Sequence, residues 1–145
     1  MKLKIETSAG GIVFREVNNK SHWLIVKHSQ YKKWTFPKGL IGDKTENENV
    51  KAAAIREVEE EGGVQARIID NEAVTVQYNY RFKDFFIKKT VYYYLMEYIS
   101  GDVKDHDFEV SDASFEDENR VKEFLGFKSD KEAFIKILLK QKQLF

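Results

Sequence analysis

Glutamates occupy four of the five positions 57–61, in a segment whose pattern predicts a helix: Glu57, Glu59, Glu60 and Glu61. At about 100° per residue, three of them share one arc of the helix, whereas Glu59 points in roughly the opposite direction. Like charges this close raise one another's proton affinity, and acids near a helix C-terminus also oppose the macrodipole. The cluster therefore needs a compensating positive charge.

A divalent cation would provide that charge. Mg²⁺, with Mn²⁺ as a substitute, binds carboxylate oxygens, keeps several waters and bridges to phosphate oxygens. The alternative is an acidic helix face that is simply solvated, which is the commoner explanation for a run of glutamates taken by itself. The residues around the run favour the cation.

The glutamates belong to a longer pattern with fixed intervals. Its positions are, in chain order, Gly42, Glu48, Arg56, Glu57, Val58, Glu60, Glu61, Gly63 and Val64. Such a set would arise by chance in a chain of this length on the order of once in a million or less. The pattern matches the Nudix box, and the chain resembles the Nudix hydrolases. The resemblance extends to "SAGGIVF", "WTFPKG" and "KKTVYYYLMEY".

The resemblance implies catalytic roles for the box residues. In the family, the glutamates that match Glu57, Glu60 and Glu61 hold one or more Mg²⁺ ions. The residues that match Arg56 and Glu48 orient this cluster by ion pairing, which is a role outside direct metal contact. Ordinary helix ion pairing is the alternative for those two residues.

A further acid from a later loop commonly joins the metal site in this family. Glu109, in "HDFEV", is our candidate for a metal ligand at that place, and Glu97 is the second choice. The alternative for Glu109 is an ordinary solvated loop glutamate. The resemblance leaves the general base open between Glu109 and a box glutamate.

Basic and aromatic side chains would complete a site for a nucleotide. Lys38 in "FPKG" is the best placed to bind phosphate, and the other candidates are Lys27, His28, Lys32, Lys33 and Lys89. Candidates for stacking on a base are Tyr78, Tyr80, Tyr92, Tyr94 and Trp34. Surface lysines and half-buried core tyrosines are the alternatives, and only a subset of the tyrosines can face a cleft.

The combination of "WTFPKG" with "KTVYYYLMEY" is most similar to the small diadenosine tetraphosphate hydrolases, which release ATP and AMP. The resemblance thus implies hydrolysis of a diphosphate linkage in a small nucleotide polyphosphate. Alternatives are a MutT-like enzyme that converts a nucleoside triphosphate to a monophosphate and pyrophosphate, and a relative that acts on inositol pyrophosphates or the 5′ end of RNA. From another class, a nucleotide-sensing Nudix domain without turnover is possible, although such members usually lack box glutamates.

One feature departs from the relatives. In those with "FPKG", the glycine of that motif is the first box glycine, but here eight residues separate Gly39 from Glu48. We therefore expect the loop over residues 40–47 to be about three residues longer than usual, and two interpretations of Gly42 stay open: it is the first box glycine, or it satisfies the box spacing by coincidence. The change would affect the reach of Lys38 but not the metal helix.

Strands and helices that must position these residues alternate along the chain. Two strands joined at "VNNK" form a hairpin, later strands are predicted over 64–70, 72–82 and 85–99, and a short one near 113–115. A helix is predicted from about Glu46 to Glu61, and two helices at the end, the last opened by a capping box of Ser129 and Glu132. The order predicts an α+β fold, a Nudix-like α/β/α sandwich with a mixed sheet and a loop-helix-loop.

Composition excludes several classes of protein. The chain has 145 residues, equal numbers of acidic and basic side chains, and no cysteine, so disulfides and thiolate metal sites are absent. We expect a single domain over 1–145, a monomer or homodimer, with no membrane partner and with nucleic acid an improbable one. The first residues lack the apolar run of a secretory signal, and a cytoplasmic location is expected.

Overall fold

The computed structural model describes residues 1–41 and 48–145. Its strands are β1 (Lys2–Val17), β2 (Lys20–His28), β3 (Trp34–Thr35), β4 (Lys38–Leu40), β5 (Val64–Ile68), β6 (Val74–Phe82), β7 (Phe85–Gly101) and β8 (Val110–Asp117). Its α-helices are α1 (Val50–Gly62), α2 (Glu118–Phe124) and α3 (Lys128–Leu144), and a short 3-10 helix spans Val103–Asp105. Gly42 and most of the predicted longer loop lie outside the described residues, so both stay predictions.

All eight strands of the described chain join one mixed sheet. The path through it runs β3-β2-β1-β7-β5, with β4 also paired to β1, β6 to β7 and β8 to β2. The central pair, β1 and β7, is parallel, and the other pairs are antiparallel. The predicted hairpin is confirmed, because β1 and β2 meet through Asn18 and Asn19, which both adopt positive φ.

Helices cover both faces of the sheet. On β1, Ile12 and Phe14 pack in a core with residues of α2 and α3, whereas Val13, between them, packs in a second core with α1. This alternation follows from the period of two in a strand. The predicted α/β/α sandwich of the α+β class is therefore confirmed. No helix among the described residues combines the length and the apolar character needed to span a bilayer.

Helix α1 begins later than predicted, at Val50 rather than near Glu46. The reason is a side-chain cap, because the carboxamide oxygen of Asn49 accepts a hydrogen bond from the Ala52 N–H at 2.8 Å. The helix ends at Gly62, next to Gly63, where the two glycines predict its end. Gly63 adopts φ 76° and its N–H donates to the Glu59 carbonyl, an arrangement that glycine favours at a helix C-terminus.

The predicted capping box at the start of α3 is wrong. The helix begins at Lys128, the preceding Phe127 occupies the cap position, and no side-chain hydrogen bond caps it. Phe127 instead packs its ring edge-on against Tyr31, with centroids 5.7 Å apart. Since α3 begins at Lys128, Ser129 lies inside the first turn rather than before it, and Asp130 is buried, at 3% exposed.

Candidate active site

The glutamate-rich face of α1 lies at the edge of the core. Glu57 and Glu61, one turn apart, are 4% and 5% exposed, Glu60 is half-buried and Glu59 is exposed. This arrangement agrees with the helical arc predicted from the sequence. Gly39 on β4 lies directly against Glu57, and a Cβ at that position would overlap the carboxylate. A side chain at position 39 would therefore displace the Glu57 carboxylate from its place.

Arg56 binds the acidic residues around it. Its guanidinium donates to both oxygens of Glu48 at 2.6 and 2.7 Å, to Glu57 at 2.6 Å and to Glu60 at 3.0 Å. The hydrogen bonds from Arg56 to Glu48, followed in size by those to Glu57, raise the pKa of the arginine. One guanidinium thus fixes the rotamers of three carboxylates, which is the arrangement expected of a group that orients metal ligands.

The carboxyl group of Glu61 has a strongly perturbed pKa. Burial raises its pKa to about 8, and the charges of Glu57 and Asp107 act in the same direction. The Lys38 N–H, which donates to Glu61 Oε1 at 3.1 Å, and the Lys38 charge oppose the rise. Without a cation nearby, Glu61 therefore carries a proton at neutral pH. The donor set consists of carboxylate oxygens, which fits a hard divalent cation.

Glu109 approaches the same place from another part of the chain. Ligand atoms of Glu109, Glu61 and His28 all lie within 4.8 Å of one another. The Asp107 N–H donates to the Glu60 carbonyl at 2.8 Å, and the Ser29 Oγ donates to the Glu109 carbonyl at 2.6 Å. These contacts tie the Glu109 loop both to the end of α1 and to the end of β2.

His28 is oriented by its neighbours. Its ring stacks on that of Tyr31, with centroids 4.2 Å apart, and the Gln30 N–H donates to its Nδ1 at 3.4 Å. A neutral ring that accepts at Nδ1 carries its proton on Nε2, so His28 can donate from that atom to a carboxylate or a phosphate. Burial lowers the pKa of His28, while the charge of Glu109 opposes this.

These residues open into a cleft of about 960 Å³. The buried glutamates lie on one side, and the cleft is also lined by basic and aromatic residues, namely Lys33, Lys38, Lys89, Lys128, Tyr31, Tyr78, Tyr80 and Phe127. Its volume is that of a site for a nucleotide-sized ligand. The cleft therefore combines groups that can bind a cation with groups that can bind phosphates and a planar base.

A chain of buried hydrogen bonds, which we call the Asp130 chain, leads from the core into this cleft. Lys38 Nζ donates to Thr35 Oγ1 at 3.0 Å, and Thr35 Oγ1 donates to Asp130 Oδ2 at 2.6 Å. The Tyr93 hydroxyl donates to Asp130 Oδ1 at 2.8 Å. Burial, followed by the charge of Asp130, holds the pKa of Tyr93 well above its ordinary value, so its hydroxyl remains a donor.

Comparison with known proteins identifies the family. The family model of the NUDIX domain matches residues 5–136. The chain belongs to the Nudix family. It is 30% identical over 123 residues to a Mycobacterium tuberculosis protein provisionally named mutator protein MutT4, a match that takes in 79% of this chain and 47% of that protein. The chain thus spans about half the length of this curated relative.

Solved Nudix structures share the fold. The Ap4A hydrolase of C. elegans, in a binary complex, superposes with a TM-score of 0.76 at 20% identity, covering 95% of this chain and 98% of that one. The Nudix domain of Shewanella oneidensis NrtR, complexed with ADP ribose, gives a TM-score of 0.65 at 19% identity, covering 98% and 90%. At these identities the likeness shows the fold alone, and it confirms the predicted Nudix fold.

The structure brings some of the predicted nucleotide-binding residues to the Nudix cleft and leaves others elsewhere. Lys38, Lys89, Tyr78 and Tyr80 line it together with His28 and Lys33. Lys27, the residue before His28 on β2, does not line it, so this candidate is wrong.

The aromatic candidates for stacking on a base pack on different faces of the sheet. Tyr92 and Tyr94 pack with the core beneath α1, whereas Tyr78 packs with the core on the α3 side. Trp34 also packs against the α3-side core, where its ring meets Phe124 at 5.9 Å. Tyr92 is therefore not positioned to stack on a ligand in the Nudix cleft.

Glu97, the second choice for the additional acid, is occupied elsewhere. Its carboxylate accepts from Arg67 at 2.6 Å, in the exposed pairing of β5 with β7, and it does not line the cleft. The structure therefore favours Glu109 over Glu97 as the acid that joins the box glutamates. The metal-binding role of Glu109 itself stays a prediction.

Sequence reasoning missed several residues of the Nudix cleft. Tyr31, Phe127 and Asp130 line it and were not predicted. Thr35, which donates to Asp130, was not predicted either. A signal existed for Asp130, since an acid in the first turn of a helix rich in apolar residues can face inward. Ser129 was predicted to be the helix cap, and the residue that follows it was not considered.

Proposed function

We propose that this Nudix domain is a divalent-cation-dependent hydrolase of diphosphate linkages in nucleotides, and that diadenosine tetraphosphate, cleaved to ATP and AMP, is its substrate. The observation that carries the proposal is the burial of Glu57 and Glu61 side by side in a cleft that also holds Lys38 and Lys89. A cation and a polyphosphate neutralise these two sets of charges together. The C. elegans Ap4A hydrolase, which shares the fold, supports the choice of substrate by analogy.

Glu57, Glu60 and Glu61 would hold Mg²⁺ or Mn²⁺, with Glu109 contributing from the facing loop. When bound, the cation would polarise the attacking water and neutralise charge on the phosphate oxygens. Arg56 keeps the box carboxylates in place through its hydrogen bonds to Glu48, Glu57 and Glu60. Glu109 or a box glutamate would take the proton from water, and ligand atoms of Glu109 and Glu61 lie within 4.8 Å of each other.

Other residues of the chain bind and orient the nucleotide. Lys38 and Lys89 donate to phosphate oxygens, and the Nε2 proton of His28 is available to a phosphate next to the glutamates. Tyr78 and Tyr80, whose ring centroids are 6.1 Å apart on β6, offer aromatic surface to an adenine. The cleft thus provides separate places for the base, the phosphates and the cation.

A direct test compares substrates at equal Mg²⁺ concentration. The purified protein is incubated with diadenosine tetraphosphate, with nucleoside triphosphates and with ADP-ribose, and products are separated by anion-exchange chromatography. ATP and AMP from the dinucleotide support the proposal, and chelation of the metal should abolish the activity. A monophosphate plus pyrophosphate from a triphosphate, with the dinucleotide left intact, would contradict the proposed substrate.

A second candidate is the MutT-like activity on nucleoside triphosphates. It is favoured by the 30% identity to the mycobacterial protein named as a mutator protein. The same product analysis separates the two activities. A nucleotide sensor without turnover is a third possibility, and it would bind Mg²⁺ and nucleotide in calorimetry but release no product.

Ser8→Ala should weaken substrate binding without reducing stability. Ser8 is 1% exposed, lines the cleft, and its Oγ has no hydrogen-bond partner among the described residues. A buried hydroxyl without a partner costs free energy, so its removal should leave the melting temperature unchanged or raise it. We expect KM to rise about threefold to tenfold, because a bound ligand or its water satisfies this hydroxyl. A lower melting temperature with unchanged KM would show that Ser8 serves only the fold.

A further inference from the structure

We propose that Asp130 and Thr35 are positioning residues that hold the Lys38 ammonium toward bound phosphate, so that helix α3 takes part in substrate binding. The inference rests on the proposed function, because it requires a phosphate group in the cleft. It concerns residues outside the Nudix box that come from three separate elements, β3, β4 and α3. The carrying observation is the continuous path of hydrogen bonds in the Asp130 chain.

The direction of each hydrogen bond in the Asp130 chain follows from its chemistry. Thr35 Oγ1 donates its single hydroxyl proton to Asp130 Oδ2. The Thr35 oxygen then presents only lone pairs to the other side, where the Lys38 ammonium donates to it. Two of the three ammonium protons remain available for a ligand. The Asp130 chain thus links the Lys38 ammonium to the Asp130 carboxyl group through the Thr35 hydroxyl.

Burial makes this arrangement rigid. Thr35, Tyr93 and Asp130 are all buried, and Tyr93 fixes the second carboxylate oxygen of Asp130. A buried carboxylate is costly even when it is hydrogen-bonded, and an apolar residue of similar size would often stabilise a fold more. The N-terminal end of α3 offsets part of that cost, because Asp130 lies in its first turn. A costly acid at the border of a cleft is most simply explained by its effect on Lys38.

Lys38 is held at both ends. Its side chain bonds to Thr35, and its backbone N–H donates to Glu61 Oε1 at 3.1 Å. The same residue therefore connects a proposed cation ligand on α1 with an acid on α3. The position of the Lys38 ammonium relative to Glu61 is consequently set by the fold rather than by a flexible lysine side chain.

The test is a double-mutant cycle on Thr35 and Lys38. Steady-state kinetics are measured for the wild type, Thr35→Val, Lys38→Ala and the double variant. We expect each single variant to lose about tenfold or more in kcat/KM, chiefly through KM, since each removes a hydrogen bond to a charged group. The double variant should lose no more than Lys38→Ala alone, because Thr35 acts through the lysine. Additive losses would overturn the proposal.

Two further variants separate positioning from folding. Thr35→Ser keeps the hydroxyl and should restore activity to within about twofold of the wild type, although it removes a buried methyl group. Thr75→Val makes the same change as Thr35→Val at an exposed position of β6 that does not line the cleft, and it should have no effect on KM. Equal losses in Thr35→Ser and Thr35→Val would show that the residue serves packing only, and would overturn the proposal.

The role of Thr35 can also be tested if the proposed hydrolase activity is not found. Should the wild type hydrolyse none of the nucleotides, binding of inorganic tripolyphosphate with Mg²⁺ is measured by calorimetry instead. Affinity that falls about tenfold in Thr35→Val but not in Thr35→Ser supports the inference on its own. Equal affinity in Thr35→Val and the wild type, or no binding by the wild type, overturns it.

Discussion

Glu61→Gln should reduce kcat by roughly two to three orders of magnitude at saturating Mg²⁺, because it removes a negatively charged ligand while keeping the shape of the side chain. The carboxamide oxygen of glutamine can still accept the hydrogen bond from the Lys38 N–H, so the local backbone should not move. The loss of kcat should therefore come from the changed ligand to the bound cation, and the affinity for Mg²⁺ should fall as well. Calorimetric titration with Mg²⁺, performed beside the kinetics, measures this directly.

Glu59→Gln is the matched control for that experiment. It makes the same chemical change two positions earlier on α1, but at an exposed side chain that does not line the cleft. Turnover and Mg²⁺ affinity should both remain close to those of the wild type. Full activity in Glu61→Gln, or a similar loss in both variants, would remove the basis for assigning the buried glutamates to a cation.

The second large effect is on the stability of the metal-free protein. Burial raises the pKa of Glu61 from 4.5 to about 8, so the folded state binds this proton more tightly than the unfolded state does. The stability contributed by this group is therefore fully present below about pH 4.5 and is lost as the pH rises toward 8. The free energy of unfolding should fall across this interval by at most about 5 kcal/mol, at roughly 1.36 kcal/mol per unit of pKa.

Urea denaturation in the presence of a chelator, at pH 5 and pH 8, measures this effect. Glu61→Gln cannot ionise, so its free energy of unfolding should exceed that of the wild type at pH 8 and approach it at pH 5. Addition of Mg²⁺ should stabilise the wild type more at pH 8 than at pH 5, because cation and proton compete for the same carboxylate. A difference between variant and wild type that is equal at both values of pH would contradict the raised pKa.

Local periodicity was enough to predict the arrangement of the glutamates. Glu57, Glu60 and Glu61 are separated by short intervals on one helix, so helical geometry alone defines their common face. The bidentate contact between Arg56 and Glu48 joins residues eight positions apart, and the family resemblance anticipated it. Features that depend on neighbours in the sequence were therefore accessible without a structure.

The rest of the site depends on contacts between distant parts of the chain. Thr35 and Asp130 are 95 positions apart, and no periodicity indicates that β3 meets the first turn of α3. The tyrosines could not be assigned from the sequence for a similar reason. Strand alternation separates them into two sets, but it does not show which set faces the cleft. Both faces of β7 are covered, so Tyr92 and Tyr94 have the same apolar appearance as residues on the other side.

The parallel pairing of β1 with β7 has a consequence for biosynthesis. Lys2 lies beside Phe85 and Phe14 beside Glu97, so the partners are 83 positions apart throughout the ladder. While the ribosome is still producing the middle of the protein, the first strand has nothing to pair with on that edge, and the loop that must close is long. A nascent chain stalled before β7 would hold the glutamate helix without Tyr94 and Met96, which pack in the core beneath it, so the ability to bind a cation should appear only after the seventh strand has left the exit tunnel.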